Sequence, residues 1–394
     1  MRAPTVVHKY GGSSVADLGR LRRIADKLAQ LSQQGQPLVV VVSAMGKTTS
    51  DLISLADQAA ATAGADELPR RELDMLVSTG ERVTMSLLAI ILHGLGRSAQ
   101  SFTGSQSGII TNETHFDARV VEVRPHRIER ALEEGRIAVV AGYQGMSQRG
   151  EVTTLGRGGS DTTAVALAGA LAAECCEIYS DVDGVYTSDP HRIREATHLP
   201  WIGYDFMASM ADAGARVLNR EAVRLAQQNS TKIVARSSFA DAPAARETWV
   251  TADSQAPRCR AVVELSDVVG ISGSLESGHD PLDALTALGL GMLQTRCDSS
   301  RFHAWLRFDK EIVNKLERRA QARLSIEHGL SLVSLVGSDA SDDDAAAALL
   351  RSHGEHVYLA RGRVSALMHP ERAERLVPEL HRQWIQAKPL RQSA

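Results

Sequence analysis

The sequence predicts an α/β protein built on a mostly parallel sheet, followed by a smaller α+β region. From Val6 to Arg236, strand-like runs alternate with helical patterns, as a parallel sheet with crossover helices requires. Leu38–Val42 and Ile137–Ala141 are continuous apolar runs, which are typical of strands covered on both faces. From Phe239 to Pro257 the chain becomes rich in Ala, Asp, Ser, Thr and Pro. We therefore expect an α/β domain over residues 1–245 and a linker over residues 246–262.

Length and composition limit the possible classes of protein. A chain of 394 residues is long enough for more than one domain, and its 43% hydrophobic content is ordinary for a globular protein. The net charge of -3 gives no electrostatic reason to expect nucleic acid or an anionic membrane as partner. No apolar run approaches the roughly 18 residues of a membrane span, and the N-terminus lacks a signal-peptide pattern. The four cysteines show no CxxC spacing, so we expect reduced thiols and a cytoplasmic location.

The first predicted strand leads into a glycine loop and then a helix. Val6–Tyr10 is strand-like, Gly11–Ser14 is the loop, and apolar residues recur at three- and four-residue steps from Val15 to Leu31. Backbone amides in such a loop favour phosphate, and Lys9 is placed to reach a transferring phosphate. The lysine precedes the glycines, so this is not a Walker A loop. The alternative for Lys9 is a solvated strand residue.

The second buried strand ends in another small, hydroxyl-rich turn. Ser43–Asp51 precedes a helical pattern, and capping of that helix is the alternative to a ligand role for its hydroxyls. Leu73–Leu92 then predicts one long helix that contains Gly80-Glu81-Arg82. A glycine beside a charge pair inside a helix indicates a packing or functional demand. The alternative is that Glu81 lies on a solvated face.

Thr153–Thr163 is a glycine-dense loop that runs into a helical pattern. Ser160 or Asp161 is expected near the N-cap, where free amides and the helix dipole attract an anion. Arg157 adds a planar guanidinium group suited to a carboxylate or a phosphate. Taken alone, these residues fit an ordinary capped glycine loop equally well.

An acidic turn follows the next predicted strand, Glu177–Tyr179. Ser180–Asp183 lies at the carboxyl end of that strand, where open α/β sheets bind ligands and where carboxylates can hold Mg²⁺ near phosphates. An ordinary Asp-Gly turn is the better explanation for Asp183-Gly184. Gly214–Leu218 is expected to begin a further helix, and Lys232–Arg236 forms the last strand of this domain.

The residues after the linker alternate short strands and helices, as small α+β sandwiches do. We expect one unit over residues 263–325, a second over residues 326–385 and a tail over residues 386–394. The expected strands are Val268–Leu275, Leu290–Thr295, Phe302–Phe308, Leu330–Val336, His356–Leu359 and Val364–Met368, and the expected helices are Pro281–Leu288, Lys310–Arg323, Ala345–Ser352 and Glu371–Trp384.

Five of these stretches, taken in order, resemble the aspartate kinase family of the amino acid kinase superfamily. An ordered set of five is far more specific than a single glycine motif, and the similarity runs from about Val6 to Ser238. The resemblance implies an αβα sandwich followed by a pair of ACT domains, which the two C-terminal units resemble more faintly. The five stretches are Lys9–Ser14, Ser43–Asp51, Gly80-Glu81-Arg82, Thr154–Thr163 and Ser180–Pro190.

The resemblance implies ATP- and Mg²⁺-dependent phosphorylation of the side-chain carboxylate of L-aspartate, giving 4-phospho-L-aspartate. Lys9 would neutralise charge on the γ-phosphate, and Asp161 would hold Mg²⁺ or orient the reacting groups. The implied substrate-binding residues are Thr49, Glu81, Arg157 and Ser160. The implied nucleotide-binding residues are Lys9, Gly11, Gly12, Ser13, Ser180, Asp181, Tyr186, Arg192 and Arg216.

The chemistry agrees with this pattern of residues. A free aspartate side chain has a pKa of about 3.9, so the nucleophile is ionised at neutral pH and needs no general base. Catalysis then requires two anions to be brought together by cations, Mg²⁺ and amide dipoles. The glycine loops with Lys9, Arg157 and Asp161 supply such groups, and no Ser/His/Asp arrangement competes with them.

The chain departs from the family pattern in two turns. His191 stands where the family has arginine after Asp-Pro, and Arg192 is expected to replace it. Asn219-Arg220-Glu221 stands in place of His-Pro-Arg, and no function is assigned to it. Two alternatives stay open: a related kinase for another acidic amino acid, and a non-catalytic amino-acid-sensing subunit.

The ACT-like region implies a homodimer or a higher homo-oligomer. It leaves open whether an amino-acid effector binds, and which one. The pathway is also open among lysine, threonine, methionine and ectoine-type products.

Overall fold

The structure is a computed structural model that describes residues 3–65, 68–156, 158–239, 246–252, 258–274, 292–297, 301–307, 324–337, 340, 344–354, 356–360 and 362–386. These residues form two compact units. The first contains the described residues of Met1–Val185, His198–Ala208 and Arg216–Pro257. The second contains those of Tyr186–Thr197, Ser209–Ala215 and Arg258–Ala394.

Strands and helices alternate along the chain as far as Thr251. In order they are β1 (Val6–Tyr10), α1 (Leu18–Gln33), β2 (Leu38–Val42), α2 (Thr48–Thr62), α3 (Arg70–Val77), α4 (Thr79–Gly94), β3 (Ala99–Phe102), β4 (Ile109–Thr111), β5 (Val120–Val123), α5 (His126–Glu133), β6 (Ile137–Ala141), β7 (Gln144–Ser147), β8 (Val152–Thr154), α6 (Gly159–Ala170), β9 (Cys175–Ser180), β10 (Val185–Tyr186), β11 (His198–Leu199), β12 (Trp201–Gly203), α7 (Tyr204–Ala213), α8 (Arg220–Asn229), β13 (Ile233–Ser237) and β14 (Glu247–Thr251).

The central sheet of the first unit has eight strands in the order β12-β14-β13-β9-β1-β2-β6-β3. Neighbouring strands are parallel except β13 and β14. Helices α1 and α4 cover one face, where Tyr10, Val40 and Val139 belong to the same buried cluster. Successive strand side chains alternate between faces, so Lys9 lies on the other face, against α6. Because helices cover both faces of the sheet, its inner strands are continuous apolar runs. The predicted αβα sandwich with a mostly parallel sheet is confirmed.

A smaller sheet places the glycine loop. Its strand order is β5-β4-β7-β8, with β4 parallel to β7 and the two outer pairs antiparallel. The hydroxyls of Thr111 and Thr153 meet at 2.6 Å inside it. Because β8 ends at Thr154, this sheet fixes where the glycine loop begins.

Helix boundaries differ from the prediction in two places. The expected helix Leu73–Leu92 is two helices, α3 and α4, which meet at Ser78. Helix α6 begins at Gly159 with Gly158 as N-cap, so Ser160 and Asp161 lie near the cap, as predicted, in the first turn. Gly214–Leu218 does not begin a helix but lies between α7 and α8. Asn219 caps α8, because its Oδ1 accepts hydrogen bonds from two first-turn amides.

The predicted linker, residues 246–262, contains regular structure. Strand β14 pairs with β12 and β13 at the edge of the central sheet, and Thr248 and Val250 are fully buried. Arg260–Val262 already belongs to the first strand of the second unit. The polar composition of this stretch hid a short strand whose alternate residues face the sheet core.

In its described residues, the second unit is an antiparallel sheet with two helices packed on it. In chain order its elements after Arg258 are β15 (Arg260–Ser274), β16 (Met292–Cys297), β17 (Arg301–Arg307), β18 (Leu324–Gly337), α9 (Asp344–His353), β19 (His356–Ala360), β20 (Arg363–Met368), α10 (Pro370–Leu380) and a π-helical turn, His381–Gln386. The strand order is β16-β17-β15-β18-β20-β19. Helix α10 packs on β15 and β18, where Val262, Val333 and Leu376 belong to one buried cluster.

The described part of this unit has the expected α+β composition. The boundary expected between residues 325 and 326 falls inside β18, which together with β15 runs through the whole sheet. The predicted helices Pro281–Leu288 and Lys310–Arg323 lie outside the described residues, as does the tail beyond Gln386.

Among the described residues, one helical run, Arg70–Gly94, is long and apolar enough to cross a membrane by length and composition. Most of this run is the expected helix Leu73–Leu92, in which Glu81 and Arg82 interrupt the apolar residues, so no uninterrupted apolar run of membrane length is expected there from the sequence. Half of its most apolar window is buried inside the protein, and buried core helices pass the same test. This run is therefore weak evidence for a membrane.

Two glycines with similar backbone conformations should respond very differently to alanine. Gly108 has a φ of 81° and a Cβ added there would collide with the carbonyl oxygen of Arg124, whereas Gly150 has a φ of 85° and open space around it. We expect Gly108→Ala to lower the free energy of unfolding by about 3 kcal/mol and Gly150→Ala by about 1 kcal/mol, because only the first adds a backbone clash to the left-handed strain. Urea unfolding followed by circular dichroism measures both, and equal losses would contradict the packing described here.

Candidate active site

The two residues predicted to be catalytic lie together. Lys9 is near the end of β1, in the middle of the sheet, and Asp161 is in the first turn of α6. The Lys9 Nζ lies 2.6 Å from Asp161 Oδ1, and their side chains are only 12% and 10% exposed. A pair this far removed from water is costly to desolvate and holds both groups in a fixed position. The alternative of a solvated Lys9 is wrong.

Glycines of the loop after β1 contact both strand β9 and the loop after β2. The Gly11 amide donates to the Tyr179 carbonyl at 3.1 Å, and the Gly12 carbonyl accepts from the Gly46 amide at 3.1 Å. A Cβ on Gly12 would lie 3.1 Å from the Ala44 carbonyl oxygen, so a larger residue would push the loops apart. Ser13, next in the loop, is exposed to solvent. The predicted phosphate loop therefore lies beside Lys9, and its backbone is in close contact with the backbone of the loop after β2.

Glu81 is buried beside these loops. It lies in the first turn of α4, is 2% exposed, and accepts a hydrogen bond from the Ala44 amide on Oε1 at 3.0 Å. Among the described residues, its Oε2 has no hydrogen-bond partner although it is buried. Burial raises the pKa of Glu81 to about 7. The alternative of a solvated face is wrong, and one carboxylate oxygen is left for a ligand.

Two further predicted substrate residues, Ser160 and Thr49, lie at the same end of the sheet. Ser160, buried in the first turn of α6, faces Gly142 at the end of β6, where an added Cβ would be 2.7 Å from its Oγ. Thr49 is half-buried in the first turn of α2. Arg157 lies outside the described residues, between Gly156 and Gly158.

The Asn219 turn has a structural role. Its side chain caps α8, with Oδ1 accepting from the amides of Glu221 at 2.8 Å and Ala222 at 3.2 Å. It also lies directly against Gly158, where an added Cβ would collide with it. The departure from the family pattern therefore supports both the helix and the glycine loop.

The predicted nucleotide residues of the first unit lie around the end of β9. The Ser180 carbonyl accepts hydrogen bonds from the amide and the hydroxyl of Ser238, at 2.8 and 2.6 Å. Asp181 follows and is exposed, and Arg216 is exposed between α7 and α8. Because β9 neighbours β1, Ser180 and Lys9 lie near the same carboxyl end of the parallel strands.

Two further predicted nucleotide residues, Tyr186 and Arg192, belong to the second unit. There the guanidinium group of Arg192 lies 2.6 Å from Glu264 Oε2. Glu264 is also bonded by the Ser331 hydroxyl at 3.2 Å. Arg192 thus has a partner within its own unit, and its contact with a phosphate stays a prediction.

The structure reveals two residues that the sequence did not indicate. Asp74, on α3, is fully buried and accepts from the Thr154 hydroxyl at 2.5 Å. Tyr143, with a φ of 67°, also shares a hydrogen bond with the Thr154 side chain, and burial raises its pKa to about 12. The one sequence signal that could have indicated Asp74 was its position seven residues before Glu81 in the same apolar helical pattern.

The described residues contain no group of three or more His, Cys, Asp or Glu side chains that could hold a metal ion alone. Mg²⁺ in kinases usually keeps several waters and binds one or two carboxylates together with substrate phosphates. Asp161, beside Lys9 and the glycine loop, fits that kind of site. The arrangement as a whole combines a cation, backbone amides and buried carboxylates at the carboxyl ends of parallel strands, which suits phosphoryl transfer between two anions.

Residues 4–237 match the sequence model of the amino acid kinase family. The aspartokinase of Mycobacterium tuberculosis strain H37Rv is 51% identical over 239 residues, which cover 60% of this chain and 56% of that protein. The match thus spans little more than half the length of that relative. The aspartokinase of Geobacillus stearothermophilus is 40% identical over 345 residues, which cover 84% of each protein.

The fold is similar to that of a solved aspartokinase. The crystal structure of E. coli aspartokinase III in complex with aspartate and ADP has a TM-score of 0.78 at 25% sequence identity, covering 96% of this chain and 99% of that one. A second crystal structure of that enzyme, in complex with lysine and aspartate, has a TM-score of 0.72.

Proposed function

This chain belongs to the amino acid kinase family, within its aspartokinases, and we propose that it transfers the γ-phosphoryl group of ATP to the side-chain carboxylate of L-aspartate. The resemblance inferred from the five motifs is thereby confirmed at the level of the family. The observation that supports the activity best is the buried ion pair of Lys9 and Asp161, 2.6 Å long, beside the Gly11-Gly12 loop. The product would be 4-phospho-L-aspartate.

Lys9 supplies the positive charge that this reaction needs. The attacking carboxylate and the γ-phosphate are both anionic at neutral pH, so their approach is opposed by repulsion and not by a missing base. The Lys9 ammonium group is fixed by Asp161 and lies close to Gly11, whose Cβ position is 3.5 Å from Nζ. Fixed charges of this kind cost no reorganisation at the moment of transfer.

The substrate would be held by its own charged groups. The free Oε2 of Glu81 accepts from the α-ammonium group of aspartate, and the Arg157 guanidinium and the Ser160 hydroxyl bind a carboxylate. Thr49 completes this pocket from α2. The role of Arg157 rests on the family motif and on its place between two loop glycines.

The nucleotide phosphates would lie against Gly11 and on the amides of Gly12 and Ser13, with Ser180 and Asp181 at the adjacent strand end. The Gly11 amide itself donates to the Tyr179 carbonyl, so Gly11 contributes space and not a free donor. Tyr186, Arg192 and Arg216 are assigned to the nucleotide by the family motif. Mg²⁺, when bound at Asp161 together with the phosphates, would offset their negative charge. Asp161 also keeps the Lys9 ammonium group in place before ATP arrives.

The biological setting follows from the proposed activity. The product would feed aspartate-derived amino acid or ectoine-type biosynthesis in the cytoplasm, where Cys175, Cys176 and Cys259 stay as free thiols. The second unit would join copies of the chain into a homodimer or higher homo-oligomer. Because E. coli aspartokinase III, which has a similar fold, forms a complex with lysine, lysine is the first effector to test.

The activity is tested with purified protein, ATP, Mg²⁺ and L-aspartate, with hydroxylamine to trap the acyl phosphate. We expect aspartyl hydroxamate, and we expect Lys9→Met to lower kcat at least about 100-fold because the fixed charge is lost. Lys232→Met, an exposed lysine before β13, is the matched control and should leave kcat unchanged. Hydroxamate only with L-glutamate would indicate the related kinase, and none with either substrate would indicate a non-catalytic subunit.

The raised pKa of Glu81 predicts a pH dependence. The carboxylate form of Glu81 increases as the pH rises through about 7, and only that form attracts an ammonium group strongly. At saturating ATP, kcat/KM for aspartate should therefore rise up to about tenfold per pH unit below pH 7 and level off above it. Glu81→Gln should lower kcat/KM about 100-fold and remove this rise. Glu72→Gln, an exposed carboxylate on α3, is the control, and a Glu81→Gln profile with the same rise would contradict the assignment.

A further inference from the structure

A buried carboxylate outside the reacting groups joins three segments of the first unit. Asp74 is 0% exposed and lies on α3. Its Oδ1 accepts from the Thr154 hydroxyl at 2.5 Å and from the Phe116 amide at 3.1 Å, and its Oδ2 lies 2.6 Å from His115 Nδ1. These partners come from the end of β8 and from the loop between β4 and β5.

Two of these segments, α3 and the end of β8, lead to the predicted substrate side of the site. The carbonyl of Asp74 accepts from the Ser78 amide at 3.1 Å, at the junction where α4 begins and brings Glu81 into the site. Thr154 is the last residue of β8, immediately before the loop that contains Arg157. Asp74 therefore lies between the two parts of the chain that would hold aspartate.

The cost of burying Asp74 points to a positional role. A buried carboxylate destabilises a protein unless hydrogen bonds compensate for its loss of water. Even then, a protein with a well-packed apolar residue in its place is often as stable. Here burial raises the pKa of Asp74, while the hydrogen bonds from Thr154, His115 and Phe116 act in the opposite direction. What this carboxylate provides beyond stability is a fixed distance between α3 and the end of β8.

Further hydrogen bonds hold the residues that follow Thr154 in the glycine loop. The Thr154 carbonyl accepts from the Ala118 amide at 2.8 Å, and the Leu155 amide donates to the Tyr143 carbonyl at 2.9 Å. The Gly159 amide donates to the Gly156 carbonyl at 3.1 Å, which closes the loop ahead of Ser160. A shift of Thr154 would thus move the loop as a unit.

We propose that Asp74 is a positioning residue for the aspartate side of the active site, acting through Thr154. It sets Thr154 and Leu155, where the glycine loop begins, at a fixed position relative to Glu81 and touches neither substrate nor nucleotide itself. The assignment of this side to aspartate rests on the proposed function. Because Asp74 has no contact with Lys9 or the Gly11-Gly12 loop in the hydrogen bonds of the described residues, its loss should affect aspartate and not ATP.

The kinetic test uses a nearly isosteric change in the partner. Thr154→Val removes the hydroxyl and should raise KM for aspartate about tenfold, with kcat changed less than threefold and KM for ATP unchanged. Thr154→Ser keeps the hydroxyl and should stay within about twofold of the original KM. Ser334→Ala is the control, since it removes another buried hydroxyl, 2.8 Å from Ser365 Oγ in the second unit, which does not include the small sheet that places the glycine loop. An unchanged KM in Thr154→Val, or an equal rise in Ser334→Ala, would overturn the proposal.

Amide hydrogen exchange tests the positioning without any reaction. In the full chain, Asp74→Asn should make the Leu155 and Gly159 amides exchange about tenfold faster, while the Gly11 amide serves as reference. If Asp74→Asn does not fold, Thr154→Val is measured in the same way. Unchanged exchange at both amides would overturn the proposal. If the unaltered protein does not phosphorylate aspartate, the proposed function fails, whereas the exchange result still decides whether Asp74 holds the loop.

Discussion

The ion pair between Lys9 and Asp161 is the interaction on which the rest of the site depends. It connects the central strand β1 to the first turn of α6, and its side chains are almost shielded from water. Such a pair is stable only if both backbones approach closely, and glycines make that approach possible: Gly142 leaves room for Ser160 on α6, and Gly12 leaves room for the loop after β2. The layered fold thus serves to bring charges together at one edge of a parallel sheet.

Three of the buried carboxylates in the described part of the first unit compensate for the loss of water in different ways. Asp161 is paired with a lysine, Asp74 is hydrogen-bonded by three neighbours, and Glu81 has a backbone amide on one oxygen only. The pKa of Glu81 is raised to about 7 in consequence. The unpaired Oε2 of Glu81 distinguishes this residue from Asp74, whose two carboxylate oxygens both have partners, because a buried polar atom without a partner is costly.

Much of the fold could be predicted because its signals are local. The strands Leu38–Val42 and Ile137–Ala141 have the predicted bounds, since continuous apolar runs leave few alternatives. Val6–Tyr10 also has the predicted bounds, and the Gly11-Gly12 loop marks its end. Strand β14 was missed because its pattern is short and lies in polar surroundings, and its stability comes from β12 and β13. The start of α6 was predicted near Ser160 and Asp161, and both lie in its first turn, with Gly158 in a left-handed conformation as the N-cap.

The sequence by itself determined the order of the glycine loops, the family they indicate and the identity of Lys9, Glu81 and Asp161 as candidate residues, because each stands in a compact local motif. The tertiary structure alone decided that Glu81 is buried, that Lys9 meets Asp161, and that Asp74 joins partners 41 and 80 positions away. Burial and hydrogen bonding depend on which distant segments pack together. No local pattern of residues contains that information, so these properties appear only when the chain is folded.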